Sequence, residues 1–216
     1  MPLSAKRLSD VRTMKLTDLT IPKTQACRAA LEVASTYCSP ALLNHSIRSY
    51  IWAAGYAGER GISFDAELLY VSALLHDISL VKEFDNHTLP FELAGGHLAW
   101  VFGAGAGWPI SRRQRAFEII ERHMWPEVDL SSDPEGHLLE LSTGMDSSGR
   151  QTEEIPSDLR EDVLAQYPRL DFPLEMKAYF EDQAVRKPHC SAAMFVRNDF
   201  ERRLMNNPLD HIKTKM

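Results

Sequence analysis

The segment Ala66-Glu67-Leu68-Leu69-Tyr70-Val71-Ser72-Ala73-Leu74-Leu75 carries apolar side chains on almost every side and runs directly into His76-Asp77. A helix without a polar face belongs at the centre of a bundle, enclosed by other helices. The dipeptide at its end is therefore carried towards the interior. Burying an ionised carboxylate costs roughly several kcal/mol unless it is paired or bound to a metal, so Asp77 needs a partner. A salt bridge to an arginine such as Arg48, or a helix-capping role, are the plain ways of meeting that need; a bound cation is the other.

Helix signals recur along the chain and strand signals hardly appear, which predicts an all-α fold. Thr24 to Tyr37 places Ala26, Ala30, Leu31, Ala34 and Tyr37 close to a 3.6-residue period. Ser39-Pro40 reads as an N-cap followed by proline at the first helical position, opening a helix that carries Asn44, His45, Arg48 and Tyr50. These two helices are expected to pack as a hairpin. Pro90 begins another helix through Phe102, stopped by Gly103, Gly105 and Gly107. Ser111-x-x-Gln114 reads as a capping box for a helix to about Met124, which Pro126 stops. Asp133-Pro134 starts a further helix towards Gly144-Met145-Asp146, after which residues 147–156 read as a loop. Helical patterns follow at Ser157–Gln166, Leu174–Arg186 and Ala192–Met205. With 216 residues, no internal repeat and no long linker, a single domain over 1–216 is the economical reading. Its core spans about residues 20–150 and a C-terminal helical extension about 151–216.

Composition removes several function classes. With 24 Lys+Arg against 30 Asp+Glu the net charge is −6, which counts against nucleic acid as a partner, since phosphate contacts call for clustered cations. The dense basic group Arg112, Arg113 and Arg115 reads as a solvated helix face. Leu93 to Ser111 is long and nearly uncharged, but its glycines, Pro109 and His97 are unlike a membrane span. Cys27, Cys38 and Cys190 are odd in number and widely spread, which fits a reducing compartment. The N-terminus, MPLSAKRLSDVRTMK, lacks the apolar core of an export signal, so a cytoplasmic location is expected.

His45 lies 31 residues before His76, and Asp146 lies 69 residues after Asp77. Three helices of a bundle can thus bring His, His-Asp and Asp to one point. Two imidazoles and two carboxylates form a mixed nitrogen/oxygen site suited to one divalent metal, zinc first, with iron or manganese as alternatives. Neighbouring helical residues diverge by about 100°, so His76 and Asp77 can share an ion only if it approaches the helix flank between them, which a helix end within a bundle permits.

The ordered set His45, Leu74-Leu75-His76-Asp77 and Asp146 resembles the H…HD…D pattern of the HD-domain superfamily, metal-dependent hydrolases built as helical bundles. Asn44-His45-Ser46-x-Arg48, Phe91-Glu92-x-x-Gly95, Ile119-Ile120-x-x-His123 and Gly144-Met145-Asp146 are similar to the cyanamide hydratase-like branch, whose namesake adds water across a nitrile to give urea. The resemblance implies an HD-domain helical bundle and an enzyme. It also implies that His45, His76, Asp77 and Asp146 are metal ligands. A bound divalent cation lowers the pKa of water towards neutrality and polarises an electrophile. Asp77 can accept the water's proton, making it the principal catalytic carboxylate.

His123 ends its helix, where it can either face the helix dipole or join the pocket; its match to the family segment favours a catalytic place in the pocket. Glu92, Lys82 and His97 are expected as substrate contacts. Glu92 can equally serve its helix N-terminus, Lys82 can be a solvated lysine, and His97 a satisfied core histidine. Among the aromatic residues, Trp125 is the best candidate for a pocket wall. Lys82 stands five residues beyond Asp77, unlike the nearer lysine of many HD phosphohydrolases. The expected function is hydration or hydrolysis of a small carbon–nitrogen, nitrile-type substrate. A phosphohydrolase acting on a nucleotide or other phosphomonoester, and a non-catalytic HD-fold ligand-binding protein, are the alternatives. The expected partners are a small-molecule substrate and, from the spare C-terminal third, a second copy in a homo-oligomer.

Overall fold

The computed structural model describes residues 14–212. The export-signal reading of the N-terminus falls on residues 1–13, outside the described residues. Among the described residues there are ten α-helices and no strand: α1 (Gln25–Tyr37), α2 (Pro40–Arg60), α3 (Ala66–Leu75), α4 (Phe91–Gly105), α5 (Ile110–Arg122), α6 (Pro134–Ser148), α7 (Ser157–Gln166), α8 (Phe172–Arg186), α9 (Ser191–Arg197) and α10 (Phe200–Met205). None is long and apolar enough to cross a membrane.

The central position of α3 is realised. Every residue from Leu68 to Leu75 is buried, and α1, α2, α4, α5 and α6 all pack around this helix. Each fully buried Leu or Val there contributes roughly 1.5–3 kcal/mol relative to exposure. Helix α1 lies mainly against α3, while α2 lies against α6 and α3, so the expected α1–α2 hairpin is a minor contact. Only Cys38 and Ser39 separate these helices, both extended, and the chain swings α2 away into the interior.

Several helix boundaries differ from their sequence signals: α4 runs on through Gly103 to Gly105, and α8 starts at Phe172, two residues before Leu174. The Ser111 capping box does not form: the N-cap is Pro109, two residues earlier, and the Gln114 amide bonds Glu118 instead (3.2 Å). Helix α6 runs through Asp146 to Ser148 before Gly149 stops it at φ +73°, so Asp146 lies inside the helix. The expected helix over 192–205 is broken into α9 and α10, because Asp199 adopts a left-handed conformation at φ +65°.

Two apolar clusters fill the interior. The larger surrounds α3; the smaller joins Ala41, Leu42, Leu80, Phe91 and Met124 to Phe172, Met176, Phe180, Phe200 and Leu204 of the C-terminal helices. The C-terminal third therefore covers one end of the bundle formed by the preceding helices.

Asp133 closes the opposite flank. Its carboxylate caps α6 through the Gly136 N–H (2.9 Å) and accepts from Arg115 (2.5 Å) and Arg122 (2.6 Å) of α5. Burial opposes its ionisation, yet those two guanidiniums hold its pKa below the usual carboxylate value. The stability it contributes is therefore complete above the unfolded aspartate pKa of about 3.9 and is lost as pH falls through the lower folded value. Asp133→Asn keeps a capping oxygen and removes only the charge. It should cost about 1–2 kcal/mol at pH 7 and flatten the fall in stability below pH ~4, as read by urea denaturation across that range.

Candidate metal centre

Where α3 ends, the backbone supplies the turn that the His-Asp dipeptide needs. His76 still has helical dihedrals, but Asp77 sits at φ −103°, ψ 4° and opens a 3-10 turn over Ile78–Leu80. The two side chains therefore converge, with His76 Nε2 3.1 Å from Asp77 Oδ2. Helix α4 presses on this turn from outside. A Cβ on Gly95 would stand 3.0 Å from the His76 carbonyl oxygen, so this close approach needs glycine.

His45 enters from α2. Its Nε2 lies 3.2 Å from His76 Nε2 and 3.4 Å from Asp77 Oδ2, and all three residues are buried. The protonation pattern follows from what the other ring nitrogens touch. His45 Nδ1 donates to Asp146 Oδ2 (2.7 Å) and His76 Nδ1 donates to the Ala73 carbonyl (2.8 Å). His123 Nδ1 donates to the Ile120 carbonyl. In their neutral forms all three rings thus present a bare Nε2 lone pair. The His45 and His76 lone pairs face each other across a carboxylate oxygen, which is repulsive unless a cation lies among them. At metal–nitrogen distances of about 2.0–2.1 Å, two tetrahedral ligands stand about 3.3 Å apart, close to the spacing observed. His45, His76 and Asp77 form a group able to hold a metal ion.

Asp146 does not join that group. Its Oδ1 accepts from Arg48 Nε (2.8 Å) and Trp52 Nε1 (2.8 Å), and its Oδ2 accepts from Arg48 Nη2 (2.7 Å) as well as from His45. Both oxygens are occupied, and the carboxylate serves as the acceptor that orients His45. In this arrangement Arg48 answers to Asp146, and the partners of Asp77 are the imidazoles. Burial disfavours charge on both aspartates, yet Arg48 and His45 hold Asp146 well below its ordinary pKa, and His76 and His45 do the same for Asp77. Burial likewise opposes a charge on His45, but Asp146 and Asp77 together raise its pKa.

His123 packs edge-on against His76, with ring centroids 4.9 Å apart, and its Nε2 lies 3.8 Å from Asp77 Oδ1. Burial, reinforced by His76, pulls its pKa down to about 3, so its ring is neutral at pH 7. These four residues do not share a surface with the expected substrate contacts. Lys82 is exposed and outside the cavity. His97, five residues and therefore about 140° round the helix from Glu92, is exposed and packs on Phe117. Glu92 is buried, but its Oε1 accepts from Ser191 Oγ of α9 (2.7 Å), so it ties two helices together beside the cavity instead of lining it. Burial raises its pKa.

A cavity of about 390 Å³ opens from His45, His76, Asp77 and His123 towards solvent, with Trp125 on its rim. Several residues that shape the site carry no local sequence signal. Phe172 stacks on His45 at 4.3 Å between centroids. Arg169 donates to the Asp146 carbonyl, and Asn207 Nδ2 does so at 2.9 Å. They reach the site from loops and from the start of α8, positions that no helical period marks.

Asp146→Asn tests the orienting role. An amide NH₂ in place of either oxygen would meet N–H donors, and Arg48 would be left buried without its counter-charge. Loss on the order of 3–5 kcal/mol in urea denaturation is expected, together with a roughly 10–100-fold weaker affinity in a zinc titration.

Known sequences support the same assignment. The sequence profile of the HD domain family matches residues 42–160. Two relatives from Saccharomyces cerevisiae, cyanamide hydratase DDI2 and cyanamide hydratase DDI3, are each 28% identical over 197 residues, covering 86% of this chain and 84% of the relative. With a family match over more than half its length and a buried His-His-Asp cluster at the end of its central helix, the chain belongs to the HD domain family of metal-dependent enzymes.

Proposed function

We propose that this protein is a hydratase or hydrolase of a small carbon–nitrogen substrate of the nitrile type, acting at the floor of the cavity. The observation that carries the reading is the convergence of three bare imidazole nitrogens on the two oxygens of Asp77. His45, His76 and Asp77 Oδ2 would hold one divalent metal, zinc first among those their donor atoms suit. Held there, the cation supplies Lewis acidity towards water and towards a polarisable substrate.

The remaining work falls to side chains whose roles follow from their neighbours. Asp77 divides its carboxylate: Oδ2 faces the two imidazoles and Oδ1 faces His123. Oδ1 is free to take a proton from an attacking water and return it to the substrate nitrogen as the carbon–oxygen bond forms. Neutral His123, its Nδ1–H committed to Ile120, accepts a hydrogen bond at Nε2 and turns the water towards the carbon. His45, His76, Asp77 and His123 are themselves buried at this floor, and the lower local dielectric strengthens each of these interactions. Addition of water to cyanamide in this way gives isourea, and transfer of its hydroxyl proton to the imino nitrogen completes urea; hydration of cyanamide is the chemistry in the names of the two yeast relatives.

A phosphomonoester calls for several convergent cations. Lys82 is outside the cavity, and of the two guanidiniums that line it, Arg150 is bonded to Glu140 (2.5 Å). That favours the neutral substrate. The three cysteines are free, in keeping with a reducing, cytoplasmic setting.

A panel of cyanamide, other nitriles and nucleoside monophosphates, run with metal analysis, tests the reading. Cyanamide or a related nitrile should be turned over, chelation should abolish the activity, and zinc should restore it. His76→Ala and Asp77→Ala should each remove activity while the circular dichroism spectrum stays helical; full activity in either variant would refute the assignment. His123→Gln should lower kcat by roughly 10²–10⁴-fold with a much smaller change in KM, measured by initial rates on the same substrate.

A further inference from the structure

The cavity is much larger than the reaction at its floor requires. Cyanamide has three heavy atoms, whereas a cavity of about 390 Å³ falls among pockets that enclose drug-sized ligands of roughly 300–1,000 Å³. The excess space is not lined like ordinary surface. Phe180 and Phe200 stack with centroids 4.7 Å apart, and Phe195 stands edge-on to both, at 6.2 and 5.6 Å. All three line the cavity, as do Met176 and Met194. Two further lining residues, Trp125 and Met194, are large apolar side chains that are 46% and 43% exposed. A cavity wall of aromatic and thioether side chains, with a few polar groups beside it, is the usual lining of a site for a ligand with an apolar part. Methionines beside an aromatic wall also adapt to ligands of varied outline.

We propose that the site takes a nitrile-type substrate bearing an apolar arm, such as an alkyl- or arylcyanamide, with the arm against Phe180, Phe195 and Phe200. This inference rests on the proposed carbon–nitrogen chemistry and specifies its substrate class. The reactive end meets Asp77 and His123, and the arm extends towards α9 and α10. The wall comes from residues 176–200, outside the segment matched by the family profile, so selectivity for the arm is set by helices other than those that carry the chemistry.

The test uses the metal-loaded full chain with cyanamide, methylcyanamide, butylcyanamide and benzylcyanamide. Turnover is measured alongside calorimetric binding of the corresponding ureas. kcat/KM is expected to rise at least tenfold from cyanamide to benzylcyanamide, and benzylurea to bind at least tenfold more tightly than urea. Phe195→Ala should reduce both gains at least fivefold. Met194→Ala, on the rim and clear of the packed core, should reduce them in the same direction if Phe195→Ala fails to fold. Cyanamide as the best substrate, with no gain from an arm, overturns this inference and leaves the proposed chemistry standing. Arm-dependent binding of the ureas without turnover of any cyanamide supports the subsite and defeats the chemistry. Gains that persist in both variants overturn the placement of the arm, and absence of both binding and turnover defeats the two readings together.

Discussion

The Asp146 carboxylate lies in the interior with no exposure to solvent, and everything around the site is arranged to make that tolerable. Arg48 grips it with two nitrogens, Trp52 gives its indole N–H, and His45 gives Nδ1–H. An isolated carboxylate in such a place would take up a proton; one in a full cage of donors keeps its charge. The anion fixes the His45 tautomer, and that tautomer leaves Nε2 bare towards His76 and Asp77. The fully buried Arg48 is also satisfied, since its third nitrogen donates to the Tyr167 and Pro168 carbonyls (3.0 and 3.1 Å). The Arg48–Asp146 ion pair thus decides which atom of His45, three residues before Arg48 on the same helix, meets the cavity.

A second constraint sits at the end of α3. A regular helix would aim His76 and Asp77 in different directions, and the change to a 3-10 turn after His76 removes that divergence. The turn is held by the Ser79 hydroxyl, which donates to the Phe91 carbonyl, and by Gly95, which lets α4 come close. The cluster is consequently fixed by backbone geometry as well as by side-chain bonds, which is how a site reaches the precision that chemistry demands.

Much of this was legible in the sequence because it rests on conflicts of polarity. An all-apolar helix ending in His-Asp has few physical outcomes, and the apolar period of α1 marks Ala26, Ala30 and Ala34 as its buried face. Asp146 was harder: a buried aspartate on a helix looks the same in sequence whether it meets a cation or a guanidinium, and only the position of Arg48 separates the two. His97 and Lys82 show what proximity along the chain does not say, since five residues on a helix change the face and five residues through a turn change the surface. Glu92 was expected at the substrate and is instead bonded to Ser191, a residue 99 positions away that no local pattern relates to it. Phe172, Arg169 and Asn207 were invisible for the same reason. The break at Asp199 was missed because left-handed backbone is usually announced by glycine, and there is none.

The bond between His45 and Asp146 joins positions 101 residues apart, and Asn207 reaches the same aspartate from 61 residues further on. Helices and their nearest pairings form quickly, whereas contacts of such separation wait for long stretches of chain to close. The donor residues His45, His76 and Asp77 are close in sequence, but the bond that turns His45 towards the other two forms only when distant parts of the polypeptide have met. The orientation of His45 is in this sense a property of the finished molecule, since a chain still lacking its last turns has the same donor residues without the full hold on Asp146.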